Sequence, residues 1–351
     1  MMKKILMILA LMGTLTAQAQ QKRDKSSYNA YIEAVDEYMP APGQFINIMP
    51  EYEAGDTKEK MAEKCATILK ANSTGDKDNH GLVALGAYGG YITLHFDHSI
   101  ANVEGSADLK ITGNAFAEAG NDKGGSSEPG IIMVSKDINH NWLPDDPWYE
   151  LSGSADVDSV GKVDYNYEIT YTRKPMENIP WVDSQGQSGE IARNPYHNQE
   201  YFPLWIDDAQ LQFRGTLLPQ SGVKSTSGFI QLFYRCGYVD NRPDDTLFDI
   251  ANAVDANRQP VYLDFIDFVR VYNGENQKCG WIGETSTEVG SAEDLHLEAS
   301  LQAITAAIST MTASPKTIVS RHTLDGRKAG SHTKGIIITR YSDGSIIKSL
   351  Q

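Results

Sequence analysis

The residues best placed to do chemistry lie in one short run, Asp137-Ile138-Asn139-His140-Asn141-Trp142-Leu143-Pro144-Asp145-Asp146. Counted from Asp137, oxygen-bearing side chains stand at positions 1, 3, 5 and 9. In a tight loop alternate residues can point inward toward a hard cation, and the backbone carbonyl at position 7 can fill in. Calcium is the natural ion, because it accepts irregular shells of many oxygens. Asp137, Asn139, Asn141 and Asp145 are the expected ligands, with Asp146 or Glu150 completing the set. The run departs from an EF-hand, with Trp142 in place of Gly and Trp148 in place of Glu. The other reading is an Asx-rich turn whose side chains cap its own backbone.

Aromatic residues gather nearby. Trp142, Trp148 and Tyr149 flank the acidic run, and Trp181, Tyr196, His197, Tyr201, Phe202 and Trp205 crowd residues 172–210. Rings with polar tips suit a flat neutral ligand such as a sugar or a macrocycle. Trp142, Trp148, Trp181, Tyr201 and Trp205 are therefore the expected contact surface. The alternative is a mini-core that closes one end of the fold.

Other chemistry is weakly signalled. On a strand His95 and Asp97 share a face while His98 points away, a poor geometry for zinc. The chain has no G-x-S-x-G, no H-E-x-x-H and no phosphate loop. Gly86-Ala87-Tyr88-Gly89-Gly90 precedes a strand and reads as a tight turn. A carboxylate pair for glycoside hydrolysis is available among 46 acids, but spacing does not choose it. The expectation is a protein that binds a ligand without transforming it. A carbohydrate-binding module or adhesin is one alternative, and an extracellular hydrolase is the other.

The elements that must position these residues are mostly strands. Asp56 as cap, Glu59 three later, and Met61, Cys65, Ile68 and Leu69 on one stripe predict a helix over 56–70. Alternation then takes over. Ile92, Leu94 and Phe96, then Tyr167, Ile169 and Tyr171, then Leu211 and Phe213, each read as one face of a strand. The runs 131–134, 229–238 and 261–272 are rich in apolar, branched or aromatic residues. Together these predict an all-β, antiparallel sandwich over 21–297, with 172–210 as a long connection of the kind that is functional or mobile. Residues 298–316 read as a linker. Ser342-Asp343-Gly344-Ser345 between two apolar runs predicts a small β-hairpin module over 317–351.

Composition limits partners and place. The chain has 351 residues, with 31 Lys plus Arg against 46 Asp plus Glu, a net charge of −15. That balance argues against nucleic acid and anionic lipid, both of which need a basic surface. Lys3 and Lys4, the apolar run Ile5–Leu11 and Ala17-Gln18-Ala19 read as a signal peptide over 1–20. No Cys follows it to carry a lipid, and no run is long enough for a membrane-spanning helix. The expected location is secreted or the outer cell surface, with the periplasm as alternative. Cys236 and Cys279 are open to two readings, one bridge or two free thiols.

An ordered series of motifs now carries a resemblance. It runs from Tyr38-Met39-Pro40-Ala41-Pro42-Gly43-Gln44-Phe45 through Leu85–Ile92, Phe96-Asp97-His98 and Ile111-Thr112-Gly113-Asn114-Ala115-Phe116. It continues through Ser127-Glu128-Pro129-Gly130, Leu143–Leu151 and Phe265–Tyr272. Over residues 38–297 the chain resembles the Bacteroidota "cell surface protein" family, often labelled PKD-domain-like. The family's acidic loop usually reads N-G-x-P-D-D, and Trp142 stands here in place of that Gly. The same order resembles discoidin-like, galactose-binding jelly rolls. The resemblance implies a jelly roll with its ligand at the end loops. It also implies a place beside outer-membrane cobalamin uptake receptors, hence capture of cobalamin or a related nutrient and a TonB-dependent receptor as partner. The tail, with Leu324-Asp325-Gly326-Arg327-Lys328 and Lys334–Ile338, resembles the C-terminal modules that direct type 9 secretion.

Overall fold

The computed structural model describes residues 27–158, 160–225, 228–280, 283–303, 318–323, 327–330, 333–341 and 346–350. The expected signal peptide, most of the expected linker and the expected turn at 342–345 lie outside the described residues. The chain is mostly β and divides into two units. One contains Gln21–Gln302, and the other includes Ala303–Gln351. Among the described residues no helix is long and apolar enough to cross a membrane.

A six-stranded, wholly antiparallel sheet forms the centre of the larger unit. Its order is Ile32–Met39, Tyr91–Ala101, Phe265–Asn273, Gly130–Ser135, Trp148–Leu151 and Ala253–Val254. The register sets two faces with opposite chemistry. Leu94, Val269 and Val134 lie side by side, as do Ile92, Val271 and Ile132, and all six are buried in the main core. The intervening residues Thr93, Arg270, Met133 and Glu150 line up on the opposite face. Strict period-two alternation explains how one strand serves both core and cleft.

The helix starts two residues later than expected and runs over Lys58–Thr74. Thr57, not Asp56, is its cap, and its hydroxyl accepts from the Lys60 N–H. Asp56 instead pairs with Lys64 at 2.6 Å. The buried stripe is the expected one, Met61, Cys65 and Leu69, and it packs against the Ile32–Met39 strand. Cys65 is therefore a core thiol, and burial pushes its pKa up.

The 172–210 connection is not a plain loop. It contains the strands Ile179–Asp183 and Ser188–Ile191, which extend Asp164–Thr172 and Gln210–Leu217 into a four-stranded sheet. Pro180 masked this hairpin in the sequence, because proline argues against a strand. The conflict is resolved by register: pairing with Asp164–Thr172 begins at Trp181, and Pro180 lies outside it. Gly189 allows the Trp181 ring to lie across the hairpin, since a Cβ there would sit 2.5 Å from the indole. The smaller unit holds three described strands, Ile318–Thr323, Ile336–Tyr341 and Ile346–Leu350, one more than a hairpin.

Candidate functional site

The structure separates the five aromatic residues expected to share a surface. Tyr201 and Trp205 lie in the main core, 0% and 8% exposed. Trp205 stacks between Tyr38 and Tyr52, with ring centroids 5.5 and 6.1 Å away. The Tyr201 hydroxyl accepts from the Asn194 N–H at 2.8 Å. These two are the mini-core, the alternative reading, and are not available to a ligand. Trp181 is half-buried on the four-stranded sheet and borders a separate depression with Tyr167 and Gln187. Trp142 stays in the acidic loop.

Trp148 alone of the five borders a cleft of about 170 Å³. The floor is the polar face of the six-stranded sheet, with Met133, Trp148, Glu150 and Tyr272. One wall carries Tyr165, Asn166, Arg214 and Thr216 from the four-stranded sheet. The other is the turn at 254–258. Glu150 organises the centre. One of its oxygens accepts from Arg258 at 2.7 Å, and the other accepts from the Thr216 hydroxyl at 2.7 Å. Arg258 holds a left-handed φ of 61°, sparsely populated outside glycine. Its guanidinium lies 4.6 Å from the centre of the Tyr165 ring. Burial and a hydrogen bond to Asp156 push the Tyr165 phenol up to about 12, so it stays protonated as a donor.

Beside the cleft Arg270 lies between two rings, 4.3 Å from Tyr91 and 4.5 Å from Trp148. Glu37 pairs with it at 2.6 Å and Thr93 accepts from it at 2.8 Å. Arg214 differs from the other two arginines: it is exposed, and among the described residues its guanidinium meets only the Asn166 amide oxygen, at 3.4 Å. The cleft thus offers aromatic faces, one carboxylate already engaged and one guanidinium with donors to spare.

The acidic loop is internally satisfied. Both Asp137 oxygens accept backbone N–H groups, from Asn141 at 3.2 Å and Trp142 at 2.9 Å. Asn139 and Asn141 donate their side-chain amides to Asp145, each at 3.0 Å. Asp146 accepts from the Ile138 N–H at 2.9 Å. Trp142 takes φ 57°, the conformation glycine adopts most easily. Among the described residues the acidic side chains whose oxygens all lie within 4.8 Å of one another are Glu128, Asp240 and Glu288, not those of the loop.

The His95–His98 run resolves differently from a flat strand. Residues 96–99 bulge opposite the single residue Asp267. This turns His98 toward Asp97, 2.7 Å away, while His95 meets Asp36 at 2.8 Å. The three cysteines are free, with Cys236 exposed and Cys279 buried.

Sequence reasoning missed Tyr165, Arg214, Arg258 and Arg270. Their signal was slight: isolated polar or basic residues at the outward positions of strands or in a turn. No protein-family model matches the chain, and no curated protein matches it either.

Proposed function

We propose that this chain is a ligand-binding protein of the cell surface or the secreted space, and that the cleft over Trp148 takes a saccharide. The observation that carries the reading is the pairing of ring faces with planar donors in one small concavity. Trp148 and Tyr165 supply apolar faces for the C–H side of a sugar ring. Arg214 and Asn166 supply hydrogen-bond donors and acceptors at the rim. The volume, about 170 Å³, is small beside a drug-sized pocket and suits one ring better than a macrocycle.

The resemblance supports nutrient capture at the cell surface, with a TonB-dependent receptor as partner. The jelly-roll reading is favoured by one feature of the topology. The late strand Phe265–Asn273 inserts between the early strands Tyr91–Ala101 and Gly130–Ser135, all antiparallel. Calcium in the 137–146 loop is supported by its spaced oxygens, although these oxygens already hold the loop's own donors.

A glycan array followed by calorimetric titration tests the function. The expected result is saturable saccharide binding that falls at least tenfold in Trp148→Ala and Arg214→Ala. Cyanocobalamin is the comparison ligand. Cobalamin binding unaffected by either substitution, with no glycan bound, would overturn the saccharide reading.

A further inference from the structure

Three carboxylates from distant parts of the chain meet inside the larger unit, away from the cleft. Ligand oxygens of Glu128, Asp240 and Glu288 lie within 4.8 Å of one another. Asp240 and Glu288 are 3% and 2% exposed, and Glu128 is half-buried at the rim. Among the described residues none of the three pairs with Lys, Arg or His. Such a concentration of like charge away from water is costly unless something positive neutralises it.

The local backbone is built to hold this arrangement. The Glu128 N–H donates to the Asp240 carbonyl at 2.8 Å, and Gly130 and Val239 exchange two backbone hydrogen bonds. The Thr287 hydroxyl donates to the Glu128 carbonyl at 2.7 Å. Asp240 accepts from the Asn114 and Glu288 N–H groups at 2.7 and 2.9 Å. Glu128 accepts from the Ser286 N–H at 3.0 Å. Gly113 is required here, because a Cβ on it would lie 2.6 Å from the Asp240 side chain. Against this saturated frame one atom stands out. The Glu288 Oε1 is fully buried and has no hydrogen-bond partner. A bare carboxylate oxygen beside two more carboxylates is the donor a hard cation takes.

We propose that Glu128, Asp240 and Glu288 bind one calcium ion, which ties the segments 127–130, 239–241 and 285–289 together. The ligand set is all oxygen, which selects calcium, magnesium or manganese over softer metals. Calcium–oxygen distances of about 2.3–2.6 Å let opposed ligands stand roughly 5 Å apart, whereas magnesium draws them to about 4.2 Å. All three oxygens lie within that calcium span, and calcium also tolerates the irregular shell that three carboxylates from separate segments offer. Glu275, Glu284 and Cys279 also feel the Glu128 charge. A cation here therefore eases ionisation in a wider buried group. The competing arrangement is a proton held between Glu128 and Glu288.

The experiment uses the purified full chain, stripped with chelator and titrated in separate runs with calcium chloride and with magnesium chloride. Binding heat and melting temperature are read for wild type, Glu288→Gln and Asp137→Asn. The expected result is saturable binding with a rise in melting temperature. Glu288→Gln should weaken that binding at least tenfold while melting no lower than wild type in chelator. Asp137→Asn should leave this response in place, since the acidic loop is separate. Wild-type calcium affinity in Glu288→Gln, or no saturation at millimolar calcium, would overturn the proposal in favour of the shared proton. Tighter binding of magnesium would overturn the choice of ion. If Glu288→Gln does not fold, Glu128→Gln at the rim carries the same comparison.

Discussion

His98 Nε2 lies 2.8 Å from Asp294 Oδ2, and the two residues are 196 positions apart. The opposite ring nitrogen meets Asp97 at 2.7 Å. His98 thereby clamps the strand Ser291–Asp294 to the longest strand of the central sheet. Burial alone would lower its pKa, but the hydrogen bonds to Asp294 and Asp97 outweigh burial and raise it. A raised imidazole favours the folded state most when charged. That contribution is complete below the unfolded pKa near 6.5 and fades as pH rises through the folded value.

His98→Ala should therefore cost about 3–5 kcal/mol in urea unfolding near pH 6, the usual cost of breaking a buried pair. The gap between mutant and wild type should narrow as pH rises. A gap that stays constant from pH 5 to 9 would show that His98 acts by shape alone.

The acidic loop gives a separable prediction. Asp137 is 3% exposed and accepts two backbone donors, so its loss removes two hydrogen bonds whether or not an ion is present. Asp137→Ala should lower stability in chelator by roughly 1–3 kcal/mol, at about 1 kcal/mol or more for each bond. Repeating the melt in calcium isolates the ion. A loss larger in calcium than in chelator measures a loop-bound cation, and equal losses leave the Asx-turn reading.

The two acidic sites show what a sequence exposes. The 137–146 loop was visible because its oxygens are spaced within ten residues. Glu128 and Glu288 were not, because 160 positions separate residues that only the fold brings together. The strand pattern was legible where one face is buried and the other is not, as at Tyr167, Ile169 and Tyr171. It failed where a local signal opposed the tertiary outcome. Pro180 hid a strand, and the bulge at 96–99 rotated His98 away from its ideal face. The aromatic count in 172–210 was real, but abundance does not tell a ring in the core from one at a surface. Tyr201 and Trp205 went one way and Tyr196, 80% exposed, the other.

Arg270 connects stability to the proposed saccharide recognition. Its guanidinium stacks on two rings and pairs with Glu37, a geometry that needs a flat cation. Arg270→Lys keeps the charge and loses the stacking. Each partly exposed cation–π contact is worth about 0.5–1 kcal/mol, so the variant should lose roughly 1–2 kcal/mol in denaturant unfolding. Freed from its partner, Trp148 should sample more rotamers. Saccharide affinity should then fall through a faster off-rate, read by surface plasmon resonance. An unchanged off-rate would place Trp148 outside the contact.

The cysteines supply a test of the burial pattern that needs no ligand. Cys65 lies within the helix–sheet core and Cys279 is buried beside Gln231, to whose side-chain oxygen its thiol donates at 3.2 Å. Burial pushes the Cys279 thiol up to about 12 and the Cys65 thiol up as well, so both stay protonated and shielded. Cys236 is exposed. Native protein should react with a thiol reagent at one fast site, and the full set of three should appear only in denaturant. Peptide mapping of the fast adduct should return Cys236. A native chain with no fast thiol, and fewer than three in denaturant without reductant, would mean that Cys236 is engaged in a bridge. The segment carrying it would then have to move toward a partner that the structure keeps inside the core.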